Sequence, residues 1–236
     1  MIIPCIWEHN GNDTLLYAGQ LPGAYARGKS LEEAIQKMDR EIRTYLTWRD
    51  GAAPDSVSVE IVQDAACTLE VCDADSDVLF QTEQQPLTLA EYEALKVLAL
   101  RSAADFLALY EAIPDQDRQI APARRTFYGA VPSTAQEMYL HTKSVNAYYF
   151  GELDIDADND GTILDCRRRG FAALEKRPGF LDNRVIEGSY GEFWSLRKVL
   201  RRFLWHDRIH AKALYRRAIC CFGKDAIPNP FFFSIP

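Results

Sequence analysis

The strongest constraint on the fold is a change of pattern near Gln85-Pro86. Before it, short apolar runs are broken every few residues by Gly, Pro, Asn and Asp. After it, apolar residues recur three and four apart over long stretches. Period two belongs to strands and period 3.6 to helices, so the two stretches build different layers. Charge changes at the same place: residues 1–86 carry 15 Asp and Glu against 6 Lys and Arg, whereas residues 87–236 carry 19 against 21. A chain of 236 residues can hold two modest domains. The coincidence predicts an acidic α+β domain over 1–86 and a helical domain over 87–236.

The average composition excludes little beyond disorder and membrane insertion. With 47% hydrophobic and 26% charged residues the chain has a globular make-up. No run of about 18 apolar residues occurs, so no transmembrane helix and no membrane partner are expected. Met1–Glu8 lacks a basic start followed by an apolar run, so no signal peptide is expected either. The six cysteines have no regular spacing and read as reduced thiols of a cytoplasmic protein. The net charge of −7 argues against a nucleic-acid partner.

In the first stretch, Ile2–Glu8 and Thr14–Tyr17 read as strands joined by Asn10-Gly11-Asn12-Asp13. Leu21-Pro22-Gly23 turns the chain into a third strand, Ala24–Arg27. Ser30 with Glu33 three residues on forms a capping box for a helix over Leu31–Trp48. Val57–Val62 alternates as a further strand, and Thr68–Cys72 and Val78–Thr82 are expected as short ones. The order β-β-β-α-β, with Tyr17-Ala18, Leu21-Pro22-Gly23, Ala26-x-Gly28, Ser30–Ala34 and Tyr45-Leu46 in sequence, resembles the HicB-like antitoxin fold. That resemblance implies a module that engages a partner; the DNA-binding tail that many such proteins add is not seen here.

Four long helices are expected after residue 87: Thr88 to about Ala112, Ser133 (as N-cap) to about Phe150, Thr162–Lys176, and a last one from near Ser189–Glu192 to about Ile219. They suggest an up-down four-helix bundle. The apolar tail Ile227–Pro236 is expected to pack on that bundle or on a second subunit of a homodimer.

Histidine is scarce, and three of the four fall in this part. His206 and His210 are four residues apart, which puts both imidazoles on one face of the last helix, within reach of one ion. His141, on the second of these helices, is the only histidine left in the domain to complete a site. His9 reads as a surface turn residue. Three neutral imidazoles would leave a coordination position open, which marks a catalytic site rather than a structural one. Such an ion could acidify a water or hold a thiol as thiolate. Glu137, one turn before His141, is the candidate base; Asp207 points about 100° from His206 on the helix. Tyr148, Tyr149 and Trp205 are candidates to line a pocket.

The surroundings of these histidines, Glu137-Met138-Tyr139-Leu140-His141-x4-Asn146-x-Tyr148-Tyr149 and Leu200-x3-Leu204-Trp205-His206-x3-His210, resemble the DinB/YfiT-like family of metal-binding four-helix bundles. The resemblance spans about residues 87–220. It implies one divalent metal, zinc or nickel, on His141, His206 and His210. It also implies a hydrolase or a thiol-dependent transferase acting on a small-molecule substrate, with a low-molecular-weight thiol as a further cofactor. The alternative is a binding or regulatory protein whose first domain engages a partner and whose metal site is structural or vestigial.

Two further patterns stand out. Asp156-Ala157-Asp158-Asn159-Asp160-Gly161-Thr162-Ile163 follows the first eight positions of a calcium loop, but Arg167 stands where a bidentate Glu should close it. Basic runs at Arg167-Arg168-Arg169, Arg197-Lys198 and Arg201-Arg202 read as solvated helix faces, or as contacts for an anion or for the acidic first domain.

Overall fold

A computed structural model describes residues 1–235. The fold is mixed α+β, with one four-stranded sheet, two small two-stranded hairpins and five α-helices. The sheet is built from β1 (Ile2–Asn10), β2 (Asp13–Ala18), β3 (Tyr25–Gly28) and β4 (Ser58–Ala66), in the order β3-β2-β1-β4. β1 pairs antiparallel with β2 and parallel with β4, with an irregularity between Cys5 and Ile6. Between β3 and β4 runs α1 (Leu31–Asp50). Ser30 Oγ accepts from the Glu33 N–H at its start, and Gly51 ends it in the left-handed conformation. The segments expected as short strands after β4 are instead 3-10 turns, at Val71–Asp73 and Gln81–Gln84. The segment between them is held by a side chain rather than by a ladder: the N–H groups of Asp77 and Val78 each donate to Glu8 Oε1 at 3.1 Å.

The helical part comprises α2 (Leu89–Glu111), α3 (Ala135–Gly151), α4 (Ile163–Leu174) and α5 (Leu196–Phe222). α2 packs against α4 and α5, and α3 packs against the same two. Two starts differ from expectation. α3 is capped by Thr134 rather than Ser133, because Thr134 with Glu137 closes a full capping box. α5 is capped by Ser195. The residues expected as its first turns form a hairpin, β7 (Ile186–Glu187) with β8 (Phe193–Trp194), around a turn where Tyr190 has φ 62°. The remaining hairpin, β5 (Arg125–Thr126) with β6 (Gly129–Ala130), carries Phe127-Tyr128 at its tip.

α5 is the axis of the molecule. Lys198 to Arg208 are buried without a break, as in a helix covered on every side. Gly23, in the Leu21-Pro22-Gly23 turn, lies so close to it that a Cβ there would sit 2.9 Å from the Leu204 carbonyl carbon. Its φ of +94° is one that side chains resist. One apolar cluster accordingly takes residues from both stretches, from Ile3, Leu16 and Ile42 to Leu204, Leu214 and Phe233. The tail enters that cluster within its own chain: Phe231 stacks on Trp48 with ring centroids 5.6 Å apart.

The basic runs on α5 are not solvated faces. Lys198 Nζ donates to the Asp77 carbonyl at 2.6 Å and pairs with Glu192 at 2.8 Å. Arg201 Nε meets Glu83 at 2.5 Å, and Arg208 meets Glu41 at 2.7 Å. Arg167 on α4 holds Asp207 through two hydrogen bonds of 2.6 and 3.1 Å, both side chains fully buried. The excess acid of the first stretch therefore answers basic residues inside the second, as Glu41 and Glu83 show.

Candidate metal centre

α3 and α5 cross so that His141, His206 and His210 face one another. Their nearest ring nitrogens all lie within 4.8 Å of each other, and among the described residues they form the one group of three or more His, Cys, Asp or Glu with metal-binding geometry. His206 Nε2 and His210 Nε2 are 3.1 Å apart. Two nitrogens bound to one zinc at 2.0–2.1 Å in tetrahedral geometry would be about 3.3 Å apart, so the pair is already close to a shared-ion spacing. His210 Nδ1 lies 3.1 Å from Met138 Sδ, one turn before His141 on α3, which leaves Nε2 as the free donor. His206 Nδ1 is buried without a hydrogen-bond partner.

Electrostatics favours neutral imidazoles, the form that binds metals. Burial holds His141 below the ordinary histidine value. Burial, then the neighbouring His210 and His141, hold His206 well below it. Burial and His141 do the same for His210, with the positive charges of Arg217 and Arg27 adding to the effect.

The triad opens into a cavity of about 770 Å³. α3 and α5 form one side, with Tyr148, Tyr149 and Trp205 beside the histidines. The opposite side comes from the first stretch, through Arg27 and the Asp73–Asp77 segment. The β5–β6 hairpin contributes Tyr128, whose ring stacks on His141 with centroids 5.3 Å apart. Tyr190, 98% exposed, stands at the rim.

Glu137 is not in this cavity. Its carboxylate caps α3, accepting from the Ser133 N–H at 2.7 Å, the Ser133 hydroxyl at 2.9 Å and the Thr134 N–H at 3.3 Å. These bonds, the Ser133 N–H first, hold it below the usual carboxylate range and make it a poor base. Asp207, bound to Arg167, faces away from the triad as its helical position requires. His9 sits in β1, stacked on Trp7, with Nε2 2.9 Å from Asp64. The Asp156–Asp160 loop does not gather its acids around a point: Asp158 pairs with Arg169, and Asn159 accepts from the Ala147 N–H at 3.1 Å. Arg167, its closing position, is locked to Asp207.

The residues of the first stretch that line the cavity carry no sequence signal. Arg217 did have one, since it lies seven residues after His210 and eleven after His206, both close to whole helical turns. Compared with protein-family models, with curated proteins and with solved structures, the chain matches none.

Proposed function

We propose that the chain is a metal-dependent enzyme of the DinB/YfiT-like kind, with a HicB-like module over 1–86 fused to a four-helix bundle over 87–236. One divalent ion, zinc or nickel, would be held by His141, His206 and His210, and the reaction would be hydrolysis or thiol-dependent transfer on a small-molecule substrate. The observation that carries this reading is the convergence of three neutral imidazoles, from two helices, at the wall of a cavity large enough for a substrate. The donor set fits: three nitrogens of borderline softness, two of them already 3.1 Å apart. Such an ion supplies Lewis acidity and lowers the pKa of a bound water or thiol.

The chain's own residues do the rest. Met138 orients His210 through its Nδ1. Tyr128 packs on the His141 ring and screens it from water. Trp205 and Tyr149 give the cavity apolar surface against which an organic substrate can be desolvated. The first stretch supplies part of the cavity wall, which favours a built-in wall over a free partner-binding module.

Metal analysis of tag-free protein, wild type beside His206→Ala, tests this. About one ion per chain is expected in the wild type and close to none in the variant. Equal, near-zero metal in both would overturn the reading.

A further inference from the structure

Arg27, Arg124 and Arg217 line the cavity, and Arg27 and Arg217 lie near enough to His210 for their charges to act on it, which marks the His210 end. Arg124 is paired with Asp73 at 3.0 Å. Arg27 and Arg217 have no carboxylate partner among the described residues; each donates to a single carbonyl, Arg27 to Cys72 at 3.1 Å and Arg217 to Pro132 at 3.3 Å. A guanidinium has five N–H donors, so most of theirs remain open. The fully buried arginines Arg167, Arg201 and Arg208 each meet a carboxylate, whereas Arg217, half-buried, and Arg27, exposed at the cavity mouth, meet none among the described residues. Arg217, half-buried, is held below the ordinary arginine range by burial and then by the neighbouring charges of Arg216 and Arg124. Side chains on a helix lean toward its N-terminus, so Arg217, about 10 Å along the axis from His210, reaches back toward the triad.

We infer that this end of the cavity binds the oxyanion of an organic substrate, a carboxylate or a phosphoryl group. Arg27 and Arg217 grip it and thereby present the uncharged remainder of the molecule to the histidine triad. The inference deepens the proposed function and rests on the same cavity. Planar forks match both oxyanions in bidentate, charge-assisted geometry, whereas a neutral carbonyl takes only the weaker single bond seen at Cys72 and Pro132. Tyr149 and Trp205 suit an apolar or aromatic body for the ligand.

Isothermal titration of tag-free protein with benzoate, phenylphosphonate and neutral benzamide tests it. Both anions, or one of them, should bind in the millimolar range or tighter and at least tenfold better than benzamide; whichever binds better identifies the headgroup. Arg27→Gln and Arg217→Gln should each weaken anion binding tenfold or more. Arg217→Lys, which keeps the charge and loses the fork, should fall between the wild type and Arg217→Gln, and Arg216→Gln, outside this cavity, should keep most of it. Unchanged melting temperatures establish that the variants fold. Anion binding as strong in both Gln variants as in the wild type would overturn the inference, as would equal affinity for benzamide or no anion binding in the millimolar range. Repeating the titration on His206→Ala separates the two readings. Arginine-dependent anion binding in a chain that never holds metal sinks the metal reading and leaves this one. A metal-loaded chain with arginine-independent binding does the reverse.

Discussion

Two sets of polar residues on α5 are used in opposite ways. From Lys198 to Arg208 the charged side chains are buried, and Lys198, Arg201, Asp207 and Arg208 each close on an opposite charge supplied by another element. Where the same helix borders the cavity, His206 and His210 lack carboxylate partners and Arg217 has no counter-charge among the described residues, although Lys212, between His210 and Arg217, still pairs with Glu41. Buried pairs contribute little net stability but are expensive to break, because the surviving charge stays desolvated. They serve to hold the first stretch and α4 at a defined position on the axis. Polar groups left open beside a cavity contribute nothing to that clamp, and their use has to be sought in what they bind.

Breaking the clamp should have the largest effect. Asp207→Ala leaves Arg167 buried and uncompensated and should cost about 3–5 kcal/mol in urea unfolding. Replacing both partners at once, Asp207→Leu with Arg167→Met, should recover most of that loss; a double variant as unstable as the single one would mean that packing, not charge, sets the cost. Gly23→Ala comes next. It forces a Cβ into the Leu204 backbone at a positive φ and should cost about 1–3 kcal/mol.

Acid should then act on the histidines at the cavity. All three histidines are held below the ordinary value of 6.5 in the folded chain. Below pH 6.5 the unfolded chain takes up protons that these folded imidazoles refuse, so stability falls with pH from there toward the depressed folded values. Above pH 6.5 they contribute no slope. Urea midpoints from pH 8 to 5 should show this, with a shallower acid limb in His206→Leu. Arg217→Gln should move stability by less than about 0.5 kcal/mol, in contrast to the clamp arginines. Smallest of all, Glu137→Gln keeps a side chain that completes the capping box and should leave both melting temperature and metal content unchanged.

Local physics made much of this legible in advance. The capping pairs Ser30/Glu33 and Thr88/Glu91 mark the starts of α1 and α2 because the spacing itself satisfies orphan N–H groups. The His206–His210 pair follows from helical periodicity, and His141 from the scarcity of histidine. What was hidden depends on tertiary placement. The segment Val78–Thr82 has a strand-like sequence, yet Glu8 and Arg201, far along the chain, take both backbone polar groups of Val78. Glu137 sits one turn from His141 in any helix, yet a cap that starts one residue later than expected claims its carboxylate. The basic runs of α5 fitted both a solvated face and a contact with the acidic stretch, and nothing local decides between them; Glu83 and Glu41 make it the contact.

The stacking of Phe231 on Trp48 sets a schedule for folding during synthesis. Trp48 leaves the ribosome early, and its stacking partner follows only after most of the chain. At 5–20 residues per second that interval is roughly 10–40 s. Until then the core face of α1 lies open to water at that position, and the sheet lacks the α5 backbone against which Gly23 is shaped. The acidic stretch thus completes its core only after α5 and the Phe231 segment have been made. A chaperone that shields its apolar face during that interval should raise the yield of folded protein more than one acting on the helices.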